Sequence, residues 1–257
     1  MIYATDLDRT LIYSDRFIKD NHEENVERTL VDESKVNSYI SNEVLKSLKE
    51  LCKHRELRFI PVTTRSLAEY KRIYIPDVIP EYAITSNGGT ILYKGIILKE
   101  WKRFVFEHIR GNELQDIIRD LNSIKYIDYQ SKIIDESYVF SKTSNPEGLA
   151  KSIEWITFRL KYSKYNIKLY RNKIYVIPKI IGKDTALNWI KQYLSEDKII
   201  ASGDSSFDVP MLETADVAIV PGHNSIDSSE LERIGAIVAS KGINSPLQTF
   251  QEIKNRL

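Results

Sequence analysis

The run Asp6-Leu7-Asp8-Arg9-Thr10-Leu11 sets two carboxylates two residues apart, directly after the short apolar stretch Ile2-Tyr3-Ala4. In an extended chain alternate side chains share a face, so Asp6 and Asp8 project to one side and their charges repel. A hard cation resolves that repulsion, because Mg2+ binds through one or two carboxylates together with waters and phosphate oxygens. An Asp carboxylate can also attack a phosphoryl group and form an aspartyl-phosphate. A solvated turn is the plain alternative for any short acidic pair. The place of this pair at the end of a first strand makes chemistry an equal contender.

A second acidic array follows almost two hundred residues later. Ile199-Ile200-Ala201-Ser202 reads as a buried strand, and Gly203-Asp204-Ser205-Ser206-Phe207-Asp208 follows it directly. Asp-x-x-x-Asp at the carboxyl edge of a strand supplies the remaining protein ligands of a divalent site. In open α/β sheets such edges are where ligands bind, near the switch in strand order. Asp204 or Ser205 as a plain cap of the helix through Pro210-Met211-Leu212 competes with this reading, and loses weight once Asp6 and Asp8 are counted with it.

The elements that must hold these groups alternate. Strands are predicted near 2–5, 58–63, 82–85, 199–202 and 217–220, with a further apolar run at 236–239; helices are predicted near 42–53, 184–194, 208–214 and 246–255. Such alternation predicts an α/β fold, a doubly wound parallel sheet covered on both faces. Pro61 inside the second core strand is out of keeping with an interior position, and predicts a bulge or partial pairing there. The polar segment Ser14 to Asn37 has little periodicity and reads as a long loop or flap, or as a solvated insertion.

From about 91 to 175 the core rhythm breaks. A hairpin is predicted at Leu92-Tyr93-Lys94-Gly95-Ile96-Ile97, helices near 112–122 and 146–160, and short strands near 167–170 and 174–177. This suits a separate α+β cap at 91–175, with the catalytic core at 1–90 and 176–257. The cap carries 16 Lys and Arg against 10 Asp and Glu, net +6, which leaves 21 against 26, net −5, for the rest of the chain. A basic module beside an acidic metal site would draw in an anionic substrate. Nucleic acid is the weaker partner, since the excess is modest and no nucleic-acid motif accompanies it.

Taken together, these motifs resemble the haloacid dehalogenase-like (HAD) phosphatases. Asp6 to Thr10 matches that family's first motif, and Val62-Thr63-Thr64-Arg65 looks like the second. Lys183, in Gly182-Lys183-Asp184-Thr185, looks like the third, with Lys179 the competitor, and Gly203-Asp204 through Asp208 matches the fourth. Ser86-Asn87-Gly88-Gly89 resembles the subgroup whose α+β cap is inserted after the third core strand, as in the sucrose-phosphatase-like and Cof-like members. The resemblance implies a Rossmann-like core and a Mg2+-dependent phosphatase. Asp6 would be the nucleophile and Asp8 the general acid and base. Thr63 and Lys183 would stabilise the transferring phosphoryl group. Mg2+ would be held by Asp6, the backbone carbonyl of Asp8, and Asp204, with Asp208 a further ligand or its support. Arg9, Thr64, Arg65, Asn87 and Gly88 are the candidate substrate contacts. Arg9 stands where the family usually has glycine, Thr64 likewise, and Phe207 where it has asparagine. A phosphomutase that reuses the aspartyl-phosphate, and an inert binding member, are the alternatives. His223 reads as a loop residue.

Composition sets outer limits. The 257 residues, 42% hydrophobic and 28% charged, suit one large α/β domain or a core with a smaller module. A single cysteine, Cys52, leaves no intramolecular disulfide and suits a reducing compartment. No apolar run approaches the roughly 20 residues of a membrane span. Met1 leads straight into the first strand, so no signal peptide is expected, and the expected location is the cytoplasm. The expected partner is a small phosphorylated metabolite, best a sugar phosphate.

Overall fold

Strand β1 (Ile2–Thr5) is buried along its whole length, as a strand covered on both faces must be. It pairs in parallel with β5 (Arg58–Pro61) on one side and β13 (Ile199–Ser202) on the other. Beyond β13 lie β14 (Val217–Val220) and β15 (Ile237–Val238), giving the order β15-β14-β13-β1-β5. The chain runs outward from β1 to β5, and outward the other way from β13 to β15. The order therefore reverses between β1 and β13, the place where open α/β sheets bind ligands. This computed structural model describes residues 1–34, 36–109, 113–123, 129–143, 145, 149, 156–157, 164–170 and 172–257.

One side of the sheet is closed by the helices Asn42–Leu51 and Pro246–Lys254. The first presents Val44, Leu45, Leu48 and Leu51 at helical spacing, and Ser41 caps it by accepting from Val44 N at 3.2 Å. Tyr3 packs between Phe59 and Phe250, with ring centroids 5.8 and 6.1 Å away.

The third predicted core strand departs from expectation. Strand β6 (Tyr82–Thr85) does not extend the parallel sheet. It pairs antiparallel with β7 (Thr90–Tyr93), which pairs with β8 (Ile96–Ile97). Only a single bridge, Val62 to Ile84, ties it to the end of β5. Pro61 supplies the reason. Arg58 and Val62 donate their N–H groups toward β1, to Met1 O and Thr5 O, while Thr63 donates the other way, to Ile84 O. Pro61 shares the parity of Thr63, so the group facing β6 at that point has no hydrogen to give.

The segment expected as a loop at 14–37 is built from short elements instead. β2 (Tyr13–Ser14), a helix at Asp15–Asp20, β3 (Arg28–Asp32) and β4 (Ser38–Ser41) form a small antiparallel sheet in the order β2-β4-β3. Tyr13, Phe17, Ile18 and Ile243 make its own apolar cluster. Strands of two to five residues offer too few alternations to register as a period.

The chain divides into two compact units, Met1–Ile97 with Gly182–Leu257, and Leu98–Ile181. The joins fall later than the expected 90/91 and 175/176: at the first, β7 and β8 continue the hairpin begun by β6, and at the second, β12 runs on to Pro178. In the second unit β9 (Tyr129–Ile134), β10 (Tyr138–Thr143), β11 (Tyr165–Tyr170) and β12 (Lys173–Pro178) form an antiparallel sheet, β11-β12-β10-β9. The helix Glu113–Asn122 buries Leu114, Ile117 and Leu121 in this unit. Lys168, Tyr175, Phe140 and Lys132 follow one another in register across the sheet, on the face where alternate residues stay open. Most of the helix predicted at 146–160 lies outside the described residues. Among the described residues, no helix is long and apolar enough to cross a membrane.

Candidate active site

The ends of β1 and β13 are held side by side by a hydrogen bond from Asp6 N to Ser202 O at 2.8 Å. Parallel pairing in register, Thr5 opposite Ser202, therefore brings Asp6 and Gly203-Asp204 to the same edge. Gly203 matters because its loop folds back tightly: a Cβ there would stand 2.3 Å from the Cβ of Asp208. Asp208 closes that loop, its Oδ2 accepting from Asp204 N, Ser205 N and Ser205 Oγ at 3.1, 3.0 and 2.8 Å. Ser205 thus supplies polar support where Phe207 offers none.

Lys183 opens the helix Lys183–Tyr193 behind Gly182. A cation at a helix N-terminus works against the helix dipole, and this one is buried. Two carboxylates answer it: Nζ lies 2.5 Å from Asp6 Oδ1 and 2.5 Å from Asp208 Oδ1. Burial works against the charge on Lys183, but Asp208 and Asp6 outweigh it and raise its pKa. Burial also pushes the Asp6 carboxyl well above the usual carboxylate range; Lys183 pulls it down, and Asp208, Asp204 and Asp8 add to the rise. Burial and the neighbouring Asp208 push Asp204 up to about 7, against the pull of Arg9 and Lys183.

One oxygen from each of Asp6, Asp204 and Asp208 lies within 4.8 Å of the others. Three hard oxygen donors this close, with Asp6 and Asp204 driven toward their neutral forms, fit a divalent cation whose charge would relieve the crowding.

The remaining candidates take distinct places. Asp8 is not one of the three clustered carboxylates; its side chain is 48% exposed, and Arg65 grips it with two bonds of 2.7 Å, Nε to Oδ2 and Nη2 to Oδ1. Arg65, expected to contact substrate, is thus engaged by protein carboxylates. Arg9 takes a left-handed φ of 63°, which explains why glycine is usual at this position. Its side chain lies on Asp204, Nε to Oδ2 at 2.9 Å, and on the carbonyl of His223. His223 returns the contact, with Nε2 2.8 Å from Arg9 O. Thr63 is buried and accepts from Arg65 N at 3.1 Å through its hydroxyl. Thr64 is half-buried beside it. Asn87 donates its backbone N–H to Thr63 O, and its buried side-chain oxygen has no hydrogen-bond partner among the described residues. Gly88, at φ +95°, packs so closely on Gly182 that a Cβ would meet the Gly182 carbonyl oxygen at 2.1 Å. It therefore braces the turn that presents Lys183. Asp32 and Ser38, which both touch Arg65, were not apparent from the sequence; the β-forming runs Thr29-Leu30-Val31 and Ser38-Tyr39-Ile40 were the available signal.

An α/β core whose first strand ends in Asp-x-Asp, with a lysine and two further aspartates gathered on it, is that of the HAD-like hydrolases. Solved structures of the same fold include the sucrose-phosphatase from Synechocystis sp. PCC6803 in complex with sucrose and phosphate, at a TM-score of 0.65 and 14% identity, covering 99% of this chain and 98% of that one. A haloacid dehalogenase-like hydrolase from Bacteroides thetaiotaomicron matches at a TM-score of 0.67 and 12% identity, over 98% of each chain. The HAD subclass IIB sugar phosphatase BT4131 matches at 0.62 and 11%, again over 98% of each chain. The sequence itself matches the family model for sucrose-6F-phosphate phosphohydrolase over residues 1–234, so the chain belongs to that family and is a phosphatase. No curated protein matches it.

Proposed function

We propose that the protein is a Mg2+-dependent phosphohydrolase of a small sugar phosphate, working through an aspartyl-phosphate on Asp6. The observation that carries this reading is the buried cluster of Asp6, Asp204 and Asp208 joined to Lys183 at the β1/β13 switch. Asp6, the backbone carbonyl of Asp8, Asp204 and Asp208 would hold Mg2+, which when bound neutralises charge on carboxylate and phosphate oxygens. Lys183 fixes one oxygen of Asp6 and so orients the other for attack. As Asp6 attacks phosphorus, the bond to the sugar oxygen breaks and Asp8 gives that oxygen its proton. Water then attacks the aspartyl-phosphate and Asp8 takes a proton from it. The bond to Asp6 breaks, and inorganic phosphate leaves. Lys183 and the Thr63 hydroxyl stabilise charge on the phosphoryl oxygens.

The family description makes sucrose-6F-phosphate the first substrate to test. The second unit is proposed to select it: its open sheet face carries two aromatic rings flanked by lysines, suited to a phosphorylated sugar. Phosphate release from sucrose-6F-phosphate and a panel of other sugar phosphates should require Mg2+ and stop with EDTA. Asp6→Asn should stay folded and lose activity by about 10³-fold or more, as nucleophile removal does elsewhere. Substantial turnover by purified Asp6→Asn would sink the assignment.

A further inference from the structure

Asp8 must hold its carboxyl toward the leaving oxygen, yet burial does not hold it there. Its side chain is half exposed and borders a cavity of about 270 Å3 shared with Asp32, Arg65, Arg72 and Glu69. What fixes it is the two-pronged grip of Arg65. That grip in turn depends on where the guanidinium plane lies, because the five N–H groups of arginine form a rigid fork.

Arg65 is set from both ends. Its backbone is tied to the site, N to Thr63 Oγ1 at 3.1 Å and O to Ser86 N at 2.7 Å. At the far end, Nη1 donates to Asp32 Oδ2 at 2.5 Å and Nη2 to Ser38 Oγ at 3.2 Å. Asp32 is 1% exposed, and Arg72 Nε reaches its other oxygen at 3.4 Å. Asp32 and Ser38 are partners across β3 and β4, just past a register shift between Leu30 and Asp32. The shift makes consecutive Val31 and Asp32 both buried, where a regular strand would send one of them outward. The small sheet at 13–41 is thus shaped to deliver a buried carboxylate to the back of Arg65.

We infer that Asp32 is a positioning residue for leaving-group protonation: it holds Arg65 in the plane that aims Asp8. This rests on the reading of Asp8 as the general acid. The step it serves is the first one, in which Asp6 bonds to phosphorus, the phosphorus–sugar oxygen bond breaks, and a proton carried on the Asp8 carboxyl passes to that oxygen, leaving a carboxylate whose two oxygens accept from Arg65.

Leaving-group chemistry tests it. An alkyl oxygen, as in a sugar phosphate, needs the proton to depart; p-nitrophenolate departs without it. kcat/KM reports steps up to the first irreversible one, so it isolates this event from hydrolysis of the aspartyl-phosphate. Asp32→Asn should lower kcat/KM about tenfold or more for the best sugar phosphate, within the ~10²–10⁴-fold that general acid–base catalysis supplies. It should leave kcat/KM for p-nitrophenyl phosphate nearly unchanged. Asp32→Glu keeps the buried charge but shifts Arg65, and should show the same selective loss even if Asp32→Asn folds poorly. Equal losses on both substrates, or none on either, overturn the inference. Asp8→Asn separates the two levels: if it shows the split and the Asp32 variants do not, only the role of Asp32 falls. If Asp8→Asn itself loses both substrates equally, the general-acid reading falls and the inference with it.

Discussion

Burial and crowding make open charge costly on Asp6 and Asp204. Burial first, and then neighbouring carboxylates, push both upward, Asp204 to about 7 from its ordinary 3.8. The metal-free folded chain therefore keeps protons that the unfolded chain has already released, and its stability falls as pH rises through that window. A cation competes with those protons. Mg2+ should therefore raise Tm clearly at pH 8 and little at pH 5, with a gain of about 2.7 kcal/mol when Mg2+ is 100 times its Kd. Asp204→Asn should lose most of the gain at pH 8. An equal rise in Tm at both pH values, measured by calorimetry, would move the cation away from these carboxylates.

Among the elements, the turn after β13 places a tight constraint on the site. Gly203 has no room for a Cβ against Asp208, and Asp208 is what closes the loop and bonds Lys183. Gly203→Ala should cost about 1–3 kcal/mol, as overpacking of a close contact does. It should also raise the Mg2+ concentration needed for half-maximal activity, because Asp208 and Asp204 move together. Denaturant unfolding and a Mg2+ titration check this; no change in either would show that the loop yields without disturbing its carboxylates. Pro61 is a second element-scale device. By withholding one N–H it limits β6 to a single parallel bridge beside the end of β5, while β6 pairs fully with β7 in the hairpin.

At the scale of the whole molecule, the buried acidic cluster and Lys183 lie in one compact unit, and the second unit carries an open, cationic and aromatic sheet face. Lys168 and Lys173 lie on β11 and at the start of β12; Arg171, between them in sequence, is outside the described residues. If this face selects substrate, Lys168→Ala or Lys173→Ala should lower kcat/KM for the best sugar phosphate by about 10-fold. That is the cost of losing a hydrogen bond to a charged group, ~1.5–3 kcal/mol. p-Nitrophenyl phosphate, lacking a sugar, should be hydrolysed as before. Equal, negligible effects on both substrates would leave selection to other residues.

The acidic pairs and the parallel strands were legible in the sequence because each depends on local order: a strand, its end, and the residue that follows; Thr63 and Lys183 stood out only through the family resemblance. Asp6, Asp204 and Asp208 could be proposed together, since strand ends in such sheets converge on one edge whatever lies between them in sequence; Lys183 opens a helix and was proposed from the family resemblance. Their mutual bonds could not, because the 2.5 Å contacts of Lys183 arise only when helix and sheet pack. The same holds for the partners of Arg65 and Arg9. Long cations reach whichever carboxylate the fold places within a side chain's length, and sequence spacing carries no record of that. Asp32 shows the limit most plainly: it lies in a polar stretch without period, and only the register shift in a five-residue strand turns it inward to Arg65.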